Sequence, residues 1–233
     1  MTLTSKQKSF LDKIVKGTCL IKPDTGLVDV KGSVDMQNMN LTKIPLKFGK
    51  VTGNFTCSAN QLTNLEGAPQ SVGGDFCCSA NKLTNLEGAP RSVGGGFYCF
   101  NNHLTSLEGS PQSVRGSFEC CDNQLTSLKG APLSVGINFD CSGNQLITLE
   151  GAPQSVLGYL DCSDNHLNSL IGAPQKLVGW FFIDLGKISK DYYHLIIPEI
   201  EEMIERGIKV YEPNSFYYPY KEAYYNSKII DVL

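Results

Sequence analysis

Two kinds of side chain in this sequence could do chemistry, the cysteines and a set of acids. There are nine cysteines, an odd number, and six of them (Cys57, Cys78, Cys99, Cys120, Cys141 and Cys162) stand 21 residues apart. A zinc site brings thiolates together as C-x-x-C pairs, and a disulfide framework uses an even set in an oxidising compartment. A constant 21-residue step does neither; it marks one position of a repeat, where a small, weakly polar side chain suits a buried site. His103 and His166 share a repeat position three steps apart, about 14 Å at strand spacing, too far to share a metal. Cys77 and Cys121 fall outside the buried phase, two steps and at least ~9 Å apart, beyond the reach of a disulfide. No nucleophile, base and orienting group can be assembled from these spacings, and no phosphate-binding glycine loop is present. The chain reads as a non-enzymatic protein with no cofactor and no metal.

The element that must carry these residues is the repeat itself. Phe55, Phe76, Phe97, Phe118, Phe139, Leu160 and Phe181 share a phase, with the cysteines two residues later. Asparagines follow at 60, 81, 102, 123, 144 and 165, then leucines at 62 to 167 and at 65 to 170. Extended back to Val34, Met36, Leu41 and Ile44, the period gives about eight rungs, with strands near 34, 55, 76, 97, 118, 139, 160 and 181. Phe-x-Cys alternation predicts a short strand with alternate side chains inward. One such rung cannot bury its own Phe and Leu; stacking buries them all in one core. The Asn, placed where the chain leaves the strand, can satisfy backbone groups of its own rung and of the next rung.

Each rung reads F-x-C-x-x-N-x-L-x-x-L, which resembles the leucine-rich repeat L-x-x-L-x-L-x-x-N-x-L from Ser33 to Ile188, with Phe and Cys at two strand leucines. The first leucine of that pattern is absent; Gly73 and Gly94 occupy its place. The resemblance implies a leucine-rich-repeat solenoid of parallel strands. The 21-residue length is similar to the short bacterial class, without its L-P-x-L-P doublet or its catalytic C-terminal domain, so no ligase activity carries over. The phrase L-T-N-L-E-G-A-P-x-S-V-G-G looks like small repeat proteins of tailed bacteriophages and some bacteria, which implies a fold and a source and no established activity; the narrower role it suggests is an inhibitor or decoy acting on a host or defence protein in the host cytoplasm.

The organisation expected is an N-terminal cap over 1–32, the solenoid over 33–188 and a helical, Tyr-rich C-terminal cap over 189–233. A helix capped by Thr4 or Ser5 presents Phe10, Leu11, Ile14 and Val15, with Gly17 as its stop. A strand covers Leu27 to Asp35. A second helix is expected from Pro198 to Arg206, proline being favoured at a helix start. Seven aromatics lie between Tyr211 and Tyr225 and read as cap or interface.

Inward positions of a solenoid are dictated by packing, so the choices that carry function lie on the outward strand positions. One outward stripe runs Asp35, Thr56, Cys77, Tyr98, Glu119, Asp140, Asp161, Phe182; the next includes Phe100, Cys121 and Asp184; a third adds Asp122 and Asp164; the stripe before Phe adds Tyr159 and Trp180. Between Ser117 and Asp184 there are seven acids and two lysines. Acids beside aromatics suit a protein with a basic surface, the aromatics as anchors and the charge as steering. The same charge repels phosphates, and a net charge of −3 disfavours nucleic acid. The acids form a line without a D-x-D-x-D-G loop, so they do not enclose calcium. No membrane span or secretory signal is legible. The candidate partner surface is Tyr98, Phe100, Glu119, Asp122, Asp140, Tyr159, Asp161, Asp164, Trp180, Phe182 and Asp184. A small-molecule or nucleotide sponge, a plain structural scaffold and a merely solvated acidic face are the alternatives.

Overall fold

The computed structural model describes residues 3–211. Helix α1 (Ser5–Ile14) opens with a capping box, in which the Thr4 side chain accepts the Gln7 N–H and Gln7 reaches back to the Thr4 N–H. It stops at Ile14, and Val15 begins strand β1 (Val15–Ile21) at once. Gly17 is therefore no helix stop. It sits inside β1 opposite Gly32 of β2 (Val28–Asp35), both at positive φ (144° and 134°). A Cβ on either would lie 2.1 Å from a carbonyl of the other strand. The β1–β2 pair is antiparallel over seven residues, and the expected boundary at 32/33 falls within β2.

From β2 onward the chain is a parallel solenoid. Val34, Phe55, Phe76, Phe97, Phe118, Phe139, Leu160 and Phe181 stand in register on successive strands, seven steps of 21 residues. All eight expected strands are present. A second parallel ladder, which the sequence does not announce, joins the Phe48–Val51 strand to the Ser-Val pairs from Ser71–Val72 to Ser155–Val156 and then Lys176–Leu177. Each rung is thus one extended segment bent at two or three residues between its Ser-Val and Phe-x pieces. Five phenylalanine rings stack along the core, from Phe55 to Phe139, at centroid separations of 5.1–5.7 Å. Phe, Cys and both leucines of each rung are buried, as the repeat demands.

The asparagines hold neighbouring rungs together. Asn102 Oδ1 accepts the Leu83 N–H of the preceding rung (3.0 Å), and its Nδ2 donates to Cys78 O and Cys99 O (both 3.1 Å). The links reach the preceding rung, not the following one. Each inner cysteine carbonyl is shared between two asparagines: Cys78 O receives Asn81 and Asn102, and Cys99 O receives Asn102 and Asn123. A second polar ladder runs at the bend. Ser33 Oγ accepts the Asn54 N–H, Asn54 Oδ1 the Asp75 N–H, Asp75 Oδ1 the Gly96 N–H, and Asn138 Oδ1 the Tyr159 N–H.

The C-terminal end is closed by helix α2 (Tyr193–Glu205), which buries Ile196, Ile197, Ile200 and Met203. It begins five residues before Pro198, which lies inside it rather than at its start. Asp191, the residue at a core-leucine phase, is exposed in a 3-10 turn over Lys190–Tyr192. Glu199 of α2 does what a further rung would do. Leu149 gives its N–H to Ile171 O of the next rung; the Phe181 rung leaves the repeat before the matching position, and Leu170 gives its N–H to Glu199 Oε2 at 2.7 Å. The chain then adds a ninth parallel strand, Lys209–Tyr211, beside Trp180–Phe182. Of the aromatic run from Tyr211 to Tyr225, only Tyr211 belongs to the described residues.

Candidate functional site

Register on the outward stripe follows from the ladder. Tyr98 pairs with Glu119, Glu119 with Asp140, Asp140 with Asp161, Asp161 with Phe182, and Phe182 with Tyr211. Three carboxylates on adjacent strands are thus about 4.8 Å apart in backbone, a like-charge arrangement that costs stability. All three are half-buried. Burial, and then the Asp140 carboxylate, raise the Glu119 carboxyl above its usual range. Burial also raises Asp161, partly offset by hydrogen bonding from Ser163. The two aspartates have a local use as well. Each accepts the N–H two residues on, from Ser142 at 3.0 Å and from Ser163 at 2.9 Å. Glu119 makes no such bond and is held there by nothing in the turn.

The aromatics gather at the C-terminal end. Tyr159 meets Phe182 edge-on at 5.5 Å, Phe182 meets Tyr211 at 5.2 Å, and Trp180 meets Tyr211 at 6.5 Å. The Lys209 ammonium lies 5.4 Å from the Trp180 ring centre, a cation–π contact. Burial, then Asp140, Glu119 and Asp161, push the Tyr159 hydroxyl up to about 12. Tyr98 folds over Gly96, where a Cβ would lie 2.5 Å from its hydroxyl oxygen. Glycine there interrupts the bend ladder and makes room for the ring.

Not every expected site residue belongs to this surface. Asp184 is 4% exposed; its stripe lies at the inner edge of the sheet, where Ser58, Ser79 and Ser163 are buried at 6–7%. Phe100 and Cys121 on the same stripe are half-buried. Asp122 and Asp164 are exposed at φ near +52°, in a turn position that Ala59, Ala80, Asn101 and Gly143 fill in other rungs, and they lie beyond the half-buried row. The structure brings Glu119, Asp140, Tyr159, Asp161, Trp180 and Phe182 together as one continuous surface. Tyr98 sits beside Glu119 at its N-terminal side.

Three residues at the bend were not singled out from the sequence. The two positions after the Ser-Val pair are Gly-Gly in the rungs of Gly73 and Gly94. In the last rungs they become Gly136-Ile137, Leu157-Gly158 and Val178-Gly179. Ile137, Leu157 and Val178 are 50%, 47% and 63% exposed. The signal available was an aliphatic residue at the bend of three consecutive rungs, where Thr52 and Arg115 are the other departures from glycine. Among the described residues no group of three or more His, Cys, Asp or Glu is placed to hold a metal ion, and no helix is long and apolar enough to cross a membrane. No family model, curated protein or solved structure matches this chain.

Proposed function

We propose that this solenoid is a non-enzymatic recognition protein that binds a protein with a basic surface through the strand face of its C-terminal rungs. The observation that carries this reading is the registered row Glu119–Asp140–Asp161, half-buried and beside Tyr159, Trp180 and Phe182. Like charges held side by side cost the free protein stability, and cations from a partner relieve that cost. Aromatic anchors next to them supply contact area. The leucine-rich-repeat pattern supports the same use, since such scaffolds present strand faces to partners. The likeness of the repeat phrase to bacteriophage repeat proteins favours a narrower role, inhibition of a host or defence protein. Affinity capture from extracts of the source cells tests the reading. Asp140→Asn with Asp161→Asn keeps the turn acceptors and removes charge, and Trp180→Ala removes an anchor. Both are expected to lose the captured protein while Gln70→Ala, on the opposite turns, retains it. Equal capture by all three, at unchanged melting temperatures, overturns the assignment of the strand face.

A further inference from the structure

Three exposed aliphatics lie at the bend of successive rungs, Leu157 and Val178 at one register position, which is Arg115 on the Glu119 rung, and Ile137 one residue further along its own rung. The Gly158 N–H bonds Ile137 O, the Val178 N–H bonds Val156 O, and the Gly179 N–H bonds Gly158 O, so Ile137, Leu157 and Val178 lie on three successive rungs. The first bend position is Thr52, Gly73, Gly94, Arg115 and Gly136 in the other rungs and the second is glycine in every rung but that of Ile137, so aliphatic side chains about half exposed are particular to these three rungs. Apolar side chains grouped on a surface in this way mark a contact with another molecule. Leu157 and Val178 follow each other along the solenoid axis, as the acids do, with Ile137 on the rung before them. Tyr159 and Trp180 lie between the two rows, because Leu157, Tyr159 and Asp161 follow one another along one rung and Val178, Trp180 and Phe182 along the next.

We infer that this two-row surface takes a cationic amphipathic helix lying along the solenoid axis, its apolar stripe on Ile137, Leu157, Val178 and Trp180 and its lysines or arginines on Glu119, Asp140 and Asp161. This rests on the strand-face reading above and specifies its partner. The dimensions agree. A helix repeats a stripe every ~5.4 Å along its axis and rungs repeat every ~4.8 Å, so residues one turn apart meet successive rungs. Leu157 stands four residues from Asp161 and Ile137 three from Asp140, at most ~13 Å, close to the ~10–12 Å width of a helix. Opposite charge along one edge and apolar contact along the other fix which way the helix faces.

Trp180 is the only tryptophan in the chain and lies within this surface, so its emission reports binding there. The probe is a synthetic 18-residue peptide of lysine and leucine patterned as an amphipathic helix, without tryptophan. The controls are a peptide of scrambled order and one with glutamate in place of lysine. The patterned peptide is expected to shift Trp180 emission and saturate, at least tenfold more tightly than either control. The triple change Ile137→Gly, Leu157→Gly, Val178→Gly returns the bend to the residue used in other rungs; with an unchanged melting curve it is expected to weaken binding at least tenfold. Glu119→Gln, Asp140→Asn and Asp161→Asn together should do the same. If only the charge variant weakens binding, or the scrambled peptide binds equally, the amphipathic partner is refuted and the acidic face stands. If neither variant matters although the peptide binds, the surface itself is wrong. Absence of any saturable shift refutes the helix partner, while the capture experiment still decides the strand face.

Discussion

Asn102→Ala removes one unit of the asparagine ladder, and its cost can be worked bond by bond. Asn102 is 5% exposed. Its Nδ2 donates to Cys78 O and Cys99 O, yet both carbonyls keep a second asparagine, Asn81 and Asn123. Phe100 O likewise keeps the Ala80 N–H. The Leu83 N–H is different, because Asn102 Oδ1 is its acceptor at 3.0 Å inside the core. Orphaning a buried donor costs ~1–3 kcal/mol, and because each shared carbonyl keeps a second donor the remaining lost bonds add about 1 kcal/mol between them. The expected loss is about 2–4 kcal/mol, read as the shift in a urea unfolding curve. Asn38→Ala is the comparison. Asn38 is exposed at φ 57°, a conformation that Ala59 and Ala80 adopt in the next rungs, so its loss should cost under ~1 kcal/mol. Equal unfolding midpoints for the two variants would refute the argument that Leu83 depends on Asn102.

Thiol labelling of the native protein should reach Cys19 first, since it is exposed on β1, then Cys77, and the six ladder cysteines only on unfolding. Burial, then Asp75, push Cys77 up to about 11, which lowers its thiolate fraction roughly a hundredfold at neutral pH; labelling of the ladder at the Cys19 rate would contradict the rung register. Glu119 and Asp161 have raised folded pKa values, so their contribution is most favourable below the ordinary carboxylate range and is lost as pH rises through the folded values. Glu119→Gln with Asp161→Asn should therefore raise the melting temperature at pH 7, by the equivalent of about 0.2–1 kcal/mol for each relieved cross-strand pair, and flatten the profile between pH 4 and 7; a lower melting temperature at pH 7 with an unaltered profile would show that the acids do not repel.

The parts of the fold legible in the sequence are those in which one residue type recurs. Phe55 to Phe181, the cysteines and the asparagines gave the strand positions and the buried side of every rung. The Ser-Val ladder was not legible, because two-residue strands followed by glycine have no propensity of their own and exist only through stacking. Strand β1 was missed for a related reason: Lys16, Gly17 and Thr18 carry no strand pattern, and the segment is extended because β2 lies beside it. Pro198 misled because the usual place of proline is a helix start, while packing of Ile196 and Ile200 on the last rung extends α2 backwards past it. For the site, register alone placed Glu119, Asp140 and Asp161 side by side. It could not tell that Asp184 is buried at the sheet edge, or that Asp122 and Asp164 sit in a left-handed turn. Ile137, Leu157 and Val178 were hidden by reading the bend as a glycine position and not asking where glycine stops.

The reversal of β1 against β2 has a bearing on how the molecule keeps to itself. Rungs this alike cannot distinguish a neighbour in the same chain from one in another molecule, and an open parallel end would template endless stacking, as in a fibril. At the N-terminal end no copy finds such a template. Lys16, Gly17, Thr18 and Cys19 offer neither a ring to extend the phenylalanine stack nor an amide to continue the asparagine links, and the strand runs the wrong way. The parallel ladder is thus met on that side by a strand of opposite direction and unlike sequence.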